Sequence, residues 1–235
     1  MQVKAIICDT GGTVFDWHTA VCTGFENAGS ARGIKADWPA LTKTWRKLST
    51  KKVDVGLPMV NGKIEVDMDD VLADTLEETL NTHNVSGFTS EDRAQLVKSW
   101  RNMKPWADIP EGVRRLRKGL LVCPFTILKT ALVIQASKGR VDWDCIISCE
   151  MIGVYKTDPR TYATAAHWLD LPKESVLLVT THNNDLKAAH KYGYKTAFIY
   201  RPKEWSDIAS LDPEPDPSAD IVANDFEDLA SKLGL

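Results

Sequence analysis

Acidic, basic and hydroxyl side chains follow separate apolar segments of this chain, and together they are the types that a nucleophilic reaction needs. Asp9 directly follows the apolar run Val3–Cys8, while Thr126, Lys156 and Asp185 come after three later runs. A nucleophilic carboxylate must stay ionised, and a neighbouring ammonium favours the ionised form. We therefore interpret Asp9 as a candidate nucleophile. The alternative from the turn alone is that Asp9 only caps the end of a strand.

Apolar strand patterns alternate with helical patterns after residue 100, which is typical of right-handed βαβ units and a parallel sheet. The predicted strands, including the first, are Val3–Cys8, Leu120–Thr126, Cys145–Ser148, Ser175–Val179 and Thr196–Tyr200. The predicted helices are Trp106–Gly119, Lys129–Ser137, Pro159–Leu169, Asp185–Tyr192 and Phe226–Leu233. Because the carboxyl ends of parallel strands meet at one edge of the sheet, we expect the candidate residues to surround one cleft.

Residues 18–100 interrupt this alternation with helical patterns alone. Apolar spacing predicts helices over Ala40–Lys52 and Asp69–His83 and a further helix that begins at Thr89, with a loop at Val55–Glu65. We read this block as an insertion. The expected division is an α/β core domain of residues 1–15 and 101–235 and a helical cap domain of residues 16–100.

The composition favours a small-molecule partner. The 235 residues are 43% hydrophobic and 26% charged, and the net charge of −3 gives no electrostatic footprint for nucleic acid or an anionic membrane. No apolar run approaches the roughly 18 residues of a membrane span. The stretch Met1–Lys4 leads into a strand rather than a signal peptide, so a cytoplasmic location is expected.

Cysteine, tryptophan and proline usage add three smaller expectations. The five cysteines are an odd number without CxxC spacing, which favours buried thiols over disulfides or a zinc site. Eight tryptophans are a high count, and some are expected to line a pocket. The proline-rich stretch Leu211–Ser218 is expected to be a surface loop without chemistry of its own.

Taken together, these motifs resemble the haloacid dehalogenase superfamily, and more narrowly its L-2-haloacid dehalogenase (type II) branch, over essentially the whole chain. The motifs are Asp9-x-x-Gly12-Thr13-Val14-x-Asp16, Trp45-Arg46, Val154-Tyr155-Lys156-x-x-Pro159-x-x-Tyr162, Thr180-x-His182-x-x-Asp185-Leu186 and Arg201–Trp205. Each motif alone is weak, but their order and spacing are specific. The resemblance implies a doubly wound, Rossmann-like parallel-sheet core with an inserted helical cap domain.

The resemblance implies a displacement without a metal or cofactor. Asp9 would attack C2 of a short 2-substituted carboxylic acid and expel the leaving group, and water would cleave the resulting aspartyl ester. Lys156 would keep Asp9 ionised, and Asp185 would hold Lys156 or orient the water. Thr180 and His182 would position this water, and His182 would either act as a base near neutral pH or only fill a hydrogen-bond position.

A second set of residues is expected to bind the substrate. The substrate carboxylate is assigned to the hydroxyls of Thr13 and Thr126 and to the backbone N–H groups of Thr10 and Gly11. The leaving group is assigned to Arg46, whose guanidinium is permanently charged. The set is completed by Lys129 and Tyr162.

Departures from the family pattern decide between branches. A magnesium-dependent phosphatase of this superfamily carries acids at the positions of Gly11 and Thr181, and without them a hard cation has too few oxygen ligands. Dehalogenases of this branch carry Ser-Asn-Gly where this chain has Thr126-Ile127-Leu128. Ile127 cannot donate a hydrogen bond to a halide, and Lys129 is the expected replacement. His182 replaces the usual asparagine, and Gly11 replaces an aromatic residue, which opens space for a larger substrate.

Three functions follow from these residues. The first choice is hydrolytic dehalogenation of short 2-haloacids. The second is the same aspartyl-ester chemistry on a non-halogenated small 2-substituted or strained-ring carboxylic acid. The third is a phosphatase of this superfamily or a catalytically silent binding protein with the same fold. A homodimer is compatible with the resemblance, because relatives are often dimers.

Overall fold

The computed structural model describes residues 3–206 and 210–235. Residues 1–2, at the start of the predicted core domain and before the first strand, and residues 207–209 lie outside the described residues.

Six parallel strands form the main sheet, in the order β10-β9-β8-β1-β6-β7. They are β1 (Ala5–Cys8), β6 (Leu121–Thr126), β7 (Ile147–Ser148), β8 (Val176–Thr180), β9 (Lys195–Ile199) and β10 (Ile221–Ala223). The chain adds β6 and β7 on one side of β1 and then β8, β9 and β10 on the other. The strand order therefore reverses between β1 and β8, where doubly wound sheets form their ligand crevice. The predicted α/β fold is confirmed.

The short strand β1 lies at the centre of this sheet. All four of its side chains are buried, with Ala5 and Ile7 in one apolar cluster and Ile6 and Cys8 in the other. Successive strand residues face opposite sides, so an uninterrupted apolar run fits a strand covered on both faces. This packing fixes the strand end from which Asp9 follows.

Ten α-helices are found in the described residues. They are α1 (Trp17–Arg32), α2 (Trp38–Val55), α3 (Met68–Thr82), α4 (Ser90–Ser99), α5 (Ile109–Leu116), α6 (Thr130–Ser137), α7 (Cys149–Ile152), α8 (Pro159–Leu169), α9 (Asn183–Tyr192) and α10 (Phe226–Lys232). The helices α5 to α10 alternate with the strands of the main sheet, and α1 to α4 form a helical segment between β2 (Phe15–Asp16) and β5 (Lys104–Pro105). Each helix predicted from the sequence forms, and so does each predicted strand, with strand bounds shifted by at most two residues. No helix in residues 3–206 and 210–235 has the length and apolarity to cross a membrane.

The helical segment, defined here as residues 17–102, leaves and rejoins the rest of the chain at one place. The strands β2 (Phe15–Asp16) and β5 (Lys104–Pro105) pair antiparallel on either side of it. Its centre is aromatic, since the ring of Trp100 stacks on Trp17 and meets Trp45 edge-on. These large buried rings fix the position of α2 above the carboxyl edge of the sheet.

Two details differ from the sequence predictions. The loop predicted at Val55–Glu65 contains a hairpin of β3 (Met59–Val60) and β4 (Lys63–Ile64). Its turn residues Asn61 and Gly62 both have positive φ, as a type I′ turn requires. Among the cysteines, Cys145 is exposed rather than buried, because it precedes the edge strand β7.

Candidate active site

Asp9 lies directly after β1, beside the reversal point of the sheet. Its Oδ2 accepts a hydrogen bond of 2.8 Å from the Thr13 hydroxyl, and its Oδ1 lies 3.3 Å from Nζ of Lys156. Nδ1 of His182 lies 3.2 Å from the same Oδ2. Burial alone would raise the pKa of Asp9, but Lys156 and His182 together hold it well below its usual range. The carboxylate is therefore ionised at neutral pH.

Lys156 sits between two carboxylates. Its Nζ donates to Asp185 Oδ2 over 2.7 Å, besides its contact with Asp9, and it lies 4.5 Å from the ring centre of Phe125. The hydroxyl of Tyr162 donates to the other Asp185 oxygen over 2.7 Å. Burial alone would lower the pKa of Lys156, but the charges of Asp185 and Asp9 raise it by more, so its pKa lies above the usual range. The amine therefore remains an ammonium. Tyr162 thus orients Asp185, and Asp185 orients Lys156.

His182 bridges Asp9 to Glu204, a residue that follows β9. Its Nε2 lies 3.0 Å from Glu204 Oε1, on the opposite side of the ring from Asp9. Burial lowers the pKa of His182, but the charges of Glu204 and Asp9 raise it to about 10. At neutral pH the ring is held as an imidazolium, because carboxylates flank both nitrogens.

Glu204 was not among the candidates from the sequence. It lies within the segment Arg201–Trp205, which carried part of the family resemblance, but its spacing assigns no role to its carboxylate. The sequence clue that could have found it is its position shortly after the predicted strand Thr196–Tyr200, because residues that follow a parallel strand lie at the carboxyl edge of the sheet. Pairing it with His182 requires the fold.

Two threonines predicted for the site hold other groups in place. Thr13 donates to Asp9 and accepts a hydrogen bond of 3.1 Å from the backbone N–H of Thr181. Thr180 accepts a hydrogen bond of 3.0 Å from the backbone N–H of His182. Both hydroxyls belong to fully buried residues, so they support the loops after β1 and β8.

The segment after β6 is arranged differently from the expectation. The hydroxyl of Thr126 lies 2.5 Å from that of Thr10 and accepts a hydrogen bond from the backbone N–H of Leu128. Lys129 forms an ion pair of 2.7 Å with Asp67 of the helical segment. The structure therefore brings neither Thr126 nor Lys129 to the cavity, and Lys129 does not replace the halide donor missing at position 127.

A cavity of about 210 Å³ opens beside Asp9. The predicted residues that line it are Asp9, Thr10, Gly11, Arg46, Lys156, His182 and Asp185. An apolar part of its wall consists of Val53, Ile127, Leu128, Trp205 and Leu211. Leu211 and Asp212 come from the proline-rich stretch, to which the sequence assigned no chemistry, and the structure shows that they line the cavity.

Arg46 reaches the cavity from α2, on the side away from the sheet. Its guanidinium is buried, packs over the ring of Trp17 at 5.6 Å and donates to the Gly11 carbonyl over 3.4 Å. A buried guanidinium is a fixed positive charge that can stabilise an anion. Arg46 and Lys156 thus both contribute positive charge to the lining of the cavity.

No group of three or more His, Cys, Asp or Glu side chains is placed to hold a metal ion within residues 3–206 and 210–235. The charged groups of the site instead form alternating pairs of cations and carboxylates.

Several known proteins that the chain is similar to are 2-haloacid dehalogenases, although no family model matches the chain. The chain is 27% identical to an (S)-2-haloacid dehalogenase of Pseudomonas putida over 220 residues, 91% of each sequence. A defluorinating L-2-haloacid dehalogenase of known structure has a TM-score of 0.91 and 30% identity, covering 99% of this chain and 96% of that one. A second L-2-haloacid dehalogenase has a TM-score of 0.89 and 29% identity over 99% of both chains.

Proposed function

Since the chain belongs to the L-2-haloacid dehalogenase branch of the haloacid dehalogenase superfamily, we propose that it hydrolyses the carbon–halogen bond of short 2-haloacids. The observation that carries this proposal is the ionised carboxylate of Asp9 beside a cavity, held by Lys156 at 3.3 Å. Such a carboxylate is a nucleophile that needs no further activation.

In the first half-reaction, Asp9 attacks C2 of the substrate. One carboxylate oxygen forms a bond to C2, and the carbon–halogen bond breaks with its electron pair leaving on the halide. Arg46 stabilises the departing anion, since its buried guanidinium lines the same cavity. The backbone N–H groups of Thr10 and Gly11, two residues that line the cavity, bind the substrate carboxylate.

In the second half-reaction, water attacks the carbonyl carbon of the Asp9 ester. The bond between this carbon and the substrate oxygen breaks, which releases a 2-hydroxy acid and restores the carboxylate. Lys156 and Asp185, which are paired at 2.7 Å, compensate each other's charge in both half-reactions. Every group assigned to these steps is a side chain or backbone group of the chain itself.

The cavity residues that follow β6 support a second candidate substrate class. Ile127 and Leu128 line the cavity and carry no hydrogen-bond donor for a halide. A non-halogenated small acid whose strained ring opens at C2 would need no such donor. The phosphatase and the silent binding protein have no comparable support, and the cap domain, the homodimer and the cytoplasmic location stay predictions from the sequence.

The test is a panel of 2-haloacids, including 2-chloropropionate, and small ring-containing acids, with halide release and acid hydrolysis measured with and without EDTA. We expect halide release that is insensitive to the chelator. Hydrolysis of the ring acids without halide release would favour the second substrate class. Loss of all activity in EDTA would contradict the proposed chemistry.

A further inference from the structure

Asp9, His182 and Glu204 form a continuous chain of contacts. His182 Nδ1 lies 3.2 Å from Asp9 and its Nε2 lies 3.0 Å from Glu204. We propose that Glu204 is a positioning residue, which holds the proton on Nε2 so that Nδ1 can act as the base that hydrolyses the Asp9 ester. This inference rests on the proposed function and assigns a residue for its second half-reaction.

Two hydrogen bonds fix the carboxylate of Glu204. Its Oε1 accepts hydrogen bonds from His182 and, over 3.1 Å, from Nε1 of Trp17. The residue is 1% exposed. A Cβ at Gly12 would lie 2.1 Å from the same oxygen, so the absence of a side chain there leaves room for the carboxylate. Burying a carboxylate is costly unless it is paired, and its partner here is the His182 ring.

The resting enzyme keeps both ring nitrogens protonated, since each faces a carboxylate. The other charged groups near this pair are Asp54, Arg46 and Lys156, and they act on His182, Glu204 and Asp9 respectively. An imidazolium cannot accept a proton from water. The ring must therefore lose one proton before it can serve as the base.

Ester formation provides this loss. When Asp9 bonds to C2, its negative charge leaves with the halide, and the neutral ester no longer stabilises a proton on Nδ1. Glu204 keeps its charge and continues to accept from Nε2, so the proton that departs to solvent is the one on Nδ1. The free lone pair then faces the ester carbonyl, because Nδ1 already lies beside Asp9.

The His182 ring is sufficient to accept the proton that the hydrolytic step releases. Nδ1 takes a proton from water as the hydroxide adds to the ester carbonyl carbon, and the imidazolium is restored. The tetrahedral species collapses by breaking the bond to the substrate oxygen, and its own hydroxyl proton goes to the leaving alkoxide. The products are a 2-hydroxy acid and an ionised Asp9, and one proton has been released per halide.

The test compares the wild type with Glu204→Gln by rapid quench on 2-chloropropionate. The amide side chain introduced by this substitution keeps an acceptor for Nε2 but lacks the charge. We expect a burst of one halide per site, accumulation of the ester on the Asp9 peptide by mass spectrometry, and steady turnover slowed roughly 10- to 100-fold. Glu111→Gln, which removes an exposed acid on α5, should behave as the wild type.

The pH profile separates this role from a structural one. Glu204 raises the pKa of His182, so removing its charge should move the rising limb of kcat to lower pH. A variant that is only loosely folded would lose rate without moving the limb. His182→Ala should also accumulate the ester, which tests the base if Glu204→Gln does not fold.

Two outcomes would overturn the inference. A wild type that releases halide, alongside Glu204→Gln and His182→Ala variants that show neither ester accumulation nor a shifted limb, would refute the role of Glu204 and leave the proposed function standing. A wild type that releases no halide and forms no Asp9 ester with any acid would refute both.

Discussion

Nζ of Lys156 lies 3.3 Å from Oδ1 of Asp9, although 147 positions separate the two residues in the sequence. The contact joins the end of the central strand to the loop after α7. This contact defines the proposed site, which consists of an ionised carboxylate, the cation that holds it and a cavity beside them.

Replacing Asp9 by asparagine should abolish turnover. The amide has nearly the same shape but is a poor nucleophile, so we expect at least a roughly 10⁴-fold loss of halide release. In ¹⁸O-water, single-turnover reaction of the wild type should place the label on the Asp9 peptide, because water attacks the ester carbonyl. Full activity of Asp9→Asn would refute the mechanism.

Replacing Lys156 by methionine should impair both activity and stability. The substitution leaves Asp9 and Asp185 buried without their shared cation, which costs roughly 3 to 5 kcal/mol of unfolding free energy. The pKa of Asp9 should rise, so the acid limb of kcat/KM should move to higher pH. Denaturant unfolding and the pH profile measure the two effects. The matched control is Lys52→Met, which removes an exposed ion pair with Asp74.

Replacing Arg46 by lysine should lower kcat for 2-haloacids roughly 10²-fold, because an ammonium on a flexible stem cannot hold the position of the guanidinium over Trp17. Halide-release kinetics measure the loss. Arg32→Lys, at an exposed pair with Asp92, serves as the control and should leave kcat unchanged. Equal losses in both variants would contradict a specific role for Arg46.

The charge on His182 should make stability depend on pH. Its pKa is about 10 in the folded protein, above the ordinary value of 6.5 expected in the unfolded chain, so the imidazolium stabilises the fold fully below the lower value. This contribution is lost as the pH rises through the upper one. The difference in unfolding free energy between the wild type and His182→Asn should therefore shrink between pH ~6 and pH ~10.5. A constant difference would show that the folded ring is neutral.

The sequence was sufficient for the sheet and for the groups that end its strands. Asp9, Lys156 and Asp185 could be placed in one cleft because the carboxyl ends of parallel strands share an edge. It was insufficient where the partner lies on another part of the chain. Lys129 finds Asp67 in the helical segment, and no pattern in either stretch predicts that ion pair.

The sequence also could not predict which partner the short side chain of Thr126 would contact. The position of Thr126 at the end of β6 places it near the site, but only the fold shows its hydroxyl bonded to Thr10 and the Leu128 backbone. Glu204 is the converse case, since its loop has no periodicity from which a contact with His182 could be read. The edge strand β10 was missed because three residues are too few for an alternating pattern.

The long separation between Asp9 and Lys156 also matters while the protein is being made. The ribosome releases the nucleophile early and its counter-ion only after most of the chain has been synthesised. When Lys156 has been added, β6 has already been made, but β8, the other neighbour of the first strand in the sheet, has not. Halide release during cell-free translation should therefore begin only with chains long enough to include β8, which makes catalysis a reporter of the assembly of the sheet.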